Sequence, residues 1–176
     1  MKKLPSVKGI CIALIVISLI QVVSNRVERL TILSLDTSNE VLVLEMGMNH
    51  FGEISYLTNI AKPDIAIITN VGTAHIGNLG SRENILKAKL EILEGLNPNG
   101  TVIINNDNDL LHDWYEKNKD KIEIHTVGIE NNSELMAKSI ELGEESSKFK
   151  AISDEGETEI QVPVAGTHFV YNALCA

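Results

Sequence analysis

The segment that most constrains the fold is Asp64-Ile65-Ala66-Ile67-Ile68-Thr69, which passes directly into Asn70-Val71-Gly72-Thr73-Ala74-His75. A short apolar, partly β-branched run bounded by turn formers reads as a buried strand that ends in a Gly-containing turn. The stretch from Ser81 to about Leu96 then reads as a helix. Ser81 is placed to cap it, with Asn84 three residues on where Glu or Gln is usual. His75 therefore falls just past the carboxyl end of a strand that feeds a helix. Open α/β sheets bind ligands at that end. Lys89 lies on the following helix, near enough in sequence to fold back toward His75.

The same alternation recurs along the chain. Glu40 to Glu45 is an apolar run read as a buried strand. Phe51 to Ala61 carries Ile54, Leu57 and Ile60 at helical spacing, and Pro63 stops it. After the turn Asn97-Pro98-Asn99-Gly100 come a strand at 101–105, an amphipathic helix at 108–119 with Leu110, Leu111, Trp114 and Tyr115, and a strand at 122–127. This order predicts an α/β fold, a doubly wound, mostly parallel sheet with flanking helices. From about Leu135 the pattern changes to three short strands, at 136–142, 147–153 and 158–164. They predict a small antiparallel addition near the C-terminus, followed by the start of a helix at 166–176.

Composition narrows the function classes. The chain has 176 residues and a formal net charge of −9, the wrong sign for a broad nucleic-acid surface. Binding an anionic nucleotide then needs local positive charge or metal. Cys11 and Cys175 have no metal-ligand spacing and read as free thiols of a cytoplasmic protein. Residues 1–29 stand apart. Met1-Lys2-Lys3 precedes an almost unbroken apolar run from Ile10 to Val23, and three readings apply. It is an anchor-like or signal-like segment, which would make the protein membrane-associated; a buried strand or helix of the fold; or the remnant of a frameshift or misassigned start.

The residues that carry chemistry have bland readings too. Glu45, at a strand end, is a metal ligand, a helix-cap partner or a solvated carboxylate. His75 is a ligand or a loop His bonded to backbone. Lys89 is a functional amine or a solvated helix Lys, as Lys87 is read. Asn70 and Thr73 serve the turn or line a phosphate pocket. Asn49, His50 and Glu53 are weaker candidates for the same crevice. His168 and Asn172 open the last helix as ordinary polar residues or as ligand contacts.

Several short blocks, in order, carry a resemblance. Glu45-Met46-Gly47, Gly52-Glu53-Ile54, Pro63-Asp64, Thr69-Asn70-Val71-Gly72 with Ala74-His75, and Ala88-Lys89 with Glu91-Ile92 resemble the central, Rossmann-like domain of the Mur ligases. The likeness covers roughly residues 30–176, and it is nearest to the branch that adds D-alanyl-D-alanine (D-Ala-D-Ala) to UDP-N-acetylmuramoyl (UDP-MurNAc) tripeptide. It implies an ATP-dependent amide-forming ligase of peptidoglycan precursor synthesis, with ATP and Mg2+ as cofactors and UDP-MurNAc-peptide and D-Ala-D-Ala as partners. It also implies roles for single residues. Glu45 helps hold the magnesium that bridges the ATP phosphates. His75 contacts a second magnesium, and Lys89, carbamylated in many members, adds an anionic oxygen ligand; His75 and Lys89 are the catalytic candidates. Gly166-Thr167-His168-Phe169-Val170-Tyr171-Asn172-Ala173 resembles the family block whose His and second Asn lie near the adenine, giving His168, Asn172 and Asn70 as nucleotide contacts. Phe169 stands where the family usually has Asn.

The family's Gly-rich phosphate loop has no counterpart here, and neither does its carboxy-terminal domain. The expectation is an incomplete central domain without ligase turnover on its own. The competing readings are the central domain of a related ligase with another substrate, such as a folylpolyglutamate, cyanophycin or lipid II amidating enzyme, and a non-catalytic membrane-tethered remnant.

Overall fold

The computed structural model describes residues 10–15 and 40–176. The chain divides after Thr101 into two compact units.

In the first unit, strands β1 (Ile10–Ile15), β2 (Val41–Glu45) and β3 (Ile65–Ile68) run parallel in the order β2-β1-β3. Leu14 of β1 is in register with Glu45 on one side and with Ile67 on the other. The carboxyl ends of the strands are thus level, and the loops after Glu45 and after Ile68 leave from one rim. Six residues of the amino-terminal apolar run are therefore strand; the rest of residues 1–29 lies outside the described residues. Among the described residues, no helix is long and apolar enough to cross a membrane.

β3 is the strand the sequence predicts, with Ala66, Ile67 and Ile68 all buried. β2 departs from expectation. Among the described residues it borders only β1, and its alternating side chains Val41 and Val43 are 55% and 56% exposed, with Leu44 buried.

Helix α1 (Glu53–Ala61) buries Ile54, Leu57 and Thr58, whereas Ile60 faces outward. It ends at Lys62, in left-handed backbone, whose amide donates to the Thr58 carbonyl at 2.8 Å, one residue before Pro63. After the single turn α2 (Ile76–Leu79) comes α3 (Arg82–Leu90), capped by Ser81 as expected: its Oγ accepts the Asn84 amide at 3.2 Å. The helix predicted to reach Leu96 stops at Leu90 and tightens into a 3₁₀ turn, Glu91–Glu94. The cause is tertiary. Thr58 Oγ1 donates to the Ile92 carbonyl at 2.8 Å, and Gly95 lies so close to α1 that a Cβ there would sit 2.2 Å from the Thr58 carbonyl oxygen. Docking on α1 overrides continuation of the helix.

In the second unit, β4 (Thr101–Asn105) and β5 (Ile124–Gly128) pair in parallel, with α4 (Asp109–Asn118) between them in sequence. β6 (Leu135–Leu142) begins parallel to β5 and continues antiparallel to β7 (Ser147–Ser153), which pairs with β8 (Gly156–Val162). A bulge between Lys138 and Glu141 contains Ser139 at φ 52°. The predicted antiparallel addition is this three-stranded extension. In α4 only Leu111 is fully buried; Leu110, Trp114 and Tyr115 are half-buried. The chain ends in α5 (Thr167–Cys175), which buries Val170, Leu174 and Cys175. Burial pushes the Cys175 thiol up to about 12.

Candidate functional site

Level strand ends put the candidate residues of the first unit on one rim. Glu45 closes β2 and is exposed. The segment Thr69–His75 closes β3; Thr69 and Val71 are buried, Asn70 and His75 half-buried, Thr73 exposed. His75 has φ 67°, left-handed backbone that non-Gly residues rarely adopt. Its carbonyl accepts the Asn78 and Leu79 amides at 2.9 and 3.1 Å, but its ring makes no hydrogen bond among the described residues.

Lys89 is 6% exposed, whereas Lys87 is exposed on the same helix. The difference follows from the helical period: Ile85, Ala88 and Lys89 share the buried face of α3. The Lys89 Nζ donates to the Asn70 carbonyl at 2.5 Å, its partner among the described residues. That bond folds α3 back onto the turn before His75, the approach the sequence spacing suggests. Burial lowers the Lys89 pKa to about 8. Desolvation disfavours the ammonium, and one neutral carbonyl is slight compensation.

Arg82 was not among the sequence candidates. From the first turn of α3 its Nη2 donates to the Val71 carbonyl at 2.9 Å. Two cations thus brace consecutive carbonyls of one turn, supplying local positive charge in an acidic chain. Nothing in the sequence spacing distinguishes Arg82 from any residue after a helix cap. Glu53 has a structural partner set: it accepts the Asn49 amide at 2.6 Å and the His50 amide at 3.1 Å.

In the second unit, His168 and Asn172 sit one helical turn apart on α5, on the same side of the helix. His168 is exposed, and its ring centroid lies 4.1 Å from that of Phe169. The residue between Phe169 and Asn172 that the sequence did not single out is Tyr171, whose hydroxyl donates to Asp107 at 2.8 Å. Asp107 also accepts the amides of Ile129, Glu130 and Asn131 at 2.6, 3.0 and 2.7 Å. Burial pushes the Asp107 carboxyl up, but these four bonds outweigh it and leave the group below its ordinary range. Its only sequence signal is its place in a run of turn formers, Asn105-Asn106-Asp107-Asn108, directly after a strand.

Among the described residues no three His, Cys, Asp or Glu side chains cluster as a metal-binding group. Magnesium asks for less. It commonly takes one or two protein carboxylates and completes its shell with phosphate oxygens and waters. Glu45 and His75 on the first unit's rim are one carboxylate and one imidazole, fewer protein donors than a cage built from protein alone needs.

A family model for the Mur ligase middle domain matches residues 24–176. The UDP-N-acetylmuramoyl-tripeptide--D-alanyl-D-alanine ligase of Haemophilus influenzae is 38% identical over 147 residues, 84% of this chain and 31% of the relative. The chain thus spans under a third of that relative's length. Among solved structures, MurF from Acinetobacter baumannii matches 96% of this chain and 41% of its own, with a TM-score of 0.81 and 29% identity. MurF ligase from Thermotoga maritima in complex with ADP matches 96% of this chain and 44% of its own, with a TM-score of 0.76; at 20% identity this likeness speaks for the fold alone. By its matched span, its relatives and its fold, this chain belongs to the Mur ligase family, of which it carries the middle domain.

Proposed function

We propose that this chain is the nucleotide-handling part of an ATP-dependent ligase that joins D-alanyl-D-alanine to UDP-MurNAc-tripeptide in the cytoplasm. The observation that carries the reading is Lys89, a buried amine held on the Asn70 carbonyl behind the turn that presents His75. Magnesium, when bound, neutralises phosphate charge as the γ-phosphoryl group moves to the substrate carboxylate. Glu45 would hold one such ion, and His75, with Lys89 once carbamylated, would hold a second. With a pKa near 8, Lys89 has a substantial neutral fraction at mildly alkaline pH. The ammonium first gives up one proton; the neutral amine then adds to carbon dioxide, an N–C bond forms as one C–O π bond opens, a second proton leaves the nitrogen, and the former cation becomes an anionic oxygen donor. Arg82 keeps the turn rigid while that charge inverts, because it grips Val71 independently of Lys89. His168 and Asn172 are the proposed adenine contacts in the second unit. Transfer of the γ-phosphoryl group to the substrate carboxylate would give an acyl phosphate and ADP; attack of the D-alanyl-D-alanine amine would then form the C–N bond, break the C–O bond and release phosphate and a proton.

Calorimetric titration of the full chain with Mg2+ and ATP tests this reading. Micromolar binding, weakened at least tenfold by His75→Ala, is expected. Binding in the millimolar range that the substitution leaves unchanged would refute it.

A further inference from the structure

Glu91 is part of the same short block as Lys89, yet it makes its contacts elsewhere. Its carboxylate accepts the Gly52 amide through both oxygens, at 2.8 and 2.9 Å, and the Ser55 amide at 3.2 Å. These are unpaired amides at the start of α1, whose N-cap, Gly52, has left-handed φ of 85° and makes no side-chain cap bond. The cap is supplied from 39 residues away. Neighbouring bonds reinforce the contact: Ser55 Oγ donates to Glu94, and Thr58 Oγ1 to the Ile92 carbonyl. On the other side, Glu53 ties the amides of Asn49 and His50, in the loop that leaves Glu45, to the first turn of α1. The loop behind Glu45, the start of α1 and the segment that carries Lys89 are therefore joined by one run of hydrogen bonds.

A side chain within residues 49–52 could satisfy the same α1 amides. A carboxylate on residue 91 also ties the strand end bearing Glu45 to the helix end bearing Lys89, and among the bonds that join α1 to this segment it is the one that reaches Gly52, the N-cap. We propose that Glu91 is a positioning residue of the nucleotide and metal site, locking the Glu45 loop to the Lys89 segment so that the two halves of the site keep one spacing. The inference rests on the metal and nucleotide reading given above.

The test uses the full chain and its Glu91→Ala and Glu91→Gln variants, with ATP affinity measured across a magnesium series and folding followed by circular dichroism. In Glu91→Ala the magnesium concentration for half-saturation is expected to rise about tenfold. Glu91→Gln, which keeps one acceptor oxygen, is expected to recover most of that loss and to show a rise of about threefold. A folded Glu91→Ala with unchanged magnesium dependence would overturn the proposal, and so would an affinity that falls equally at every magnesium concentration, the mark of a scaffold alone. If Glu91→Ala does not fold, a Glu91→Gln variant identical to the parent overturns it. A parent chain without magnesium-dependent binding refutes the underlying reading, and the positioning role with it.

Discussion

Lys89 and Asp107 are the two groups in which burial and charge compete most openly, and the two units resolve that competition in opposite ways. In the second unit, Asp107 is surrounded by donors: three successive backbone amides and the Tyr171 hydroxyl. Its charged form is stabilised, and the carboxylate becomes a fastener for the loop after β5 and for α5. In the first unit, Lys89 is more deeply buried and has one carbonyl partner among the described residues. Its charged form is penalised, and the amine is left close to the pH at which it changes state. A buried charge met by several donors holds architecture together; a buried amine whose charged form is penalised sits close to a change of protonation state.

The comparison breaks most readily at Asp107. Asp107→Ala leaves three amides and a hydroxyl without their acceptor, and a loss of about 3 kcal/mol of stability is expected in urea unfolding. A loss under 1 kcal/mol would mean that water replaces the carboxylate and that the fastening is incidental. Lys89→Met should act in the reverse direction. It removes a penalised ammonium at nearly constant volume, and a gain of about 2 kcal/mol is expected at pH 7.

The sign of the pH dependence follows from linkage. The Lys89 pKa is lower in the folded chain, so between about 8 and its unfolded value of 10.5 the unfolded state binds more protons. This group's share of stability therefore rises with pH across that window, and the advantage of Lys89→Met should shrink there. An advantage independent of pH would place its origin in packing instead. The smallest effect expected is that of Tyr171→Phe, about 1 kcal/mol from one hydroxyl bond, with the pH midpoint of acid unfolding raised slightly as Asp107 loses a donor.

Much of this was legible in the sequence because it rests on local pattern. The strand at 65–68, the Ser81 cap and the change to antiparallel strands after Leu135 each follow from periodicity or turn chemistry. The resemblance blocks picked out Lys89 over Lys87, and the burial of Lys89 supplies the physical reason. What escaped is nonlocal. The helix expected to run to Leu96 ends at Leu90 because of contacts with α1, and that packing has no signature in residues 91–96. β2 was read as buried because its composition is apolar, yet Val41 and Val43 on one face are exposed while Leu44 on the other is buried, a difference that an unbroken apolar run does not record. Arg82 and Asp107 went unmarked, and Glu91 was named without a role, because each acts on backbone groups between 11 and 39 residues away; Tyr171 escaped because its one partner, the Asp107 side chain, is 64 residues distant. A side chain bonded to main chain imposes no residue type on its partner, so its sequence carries no complementary signal.

The central claim, that burial keeps the Lys89 amine near the edge of deprotonation, is tested most directly by titrating its Cε resonance in protein labelled with 13C-lysine, assigned with Lys89→Met. A midpoint near pH 8, well below those of exposed lysines such as Lys87, is the predicted result. A midpoint near 10.5 would show the amine to be solvated and would remove the basis for both its contrast with Asp107 and its proposed chemistry.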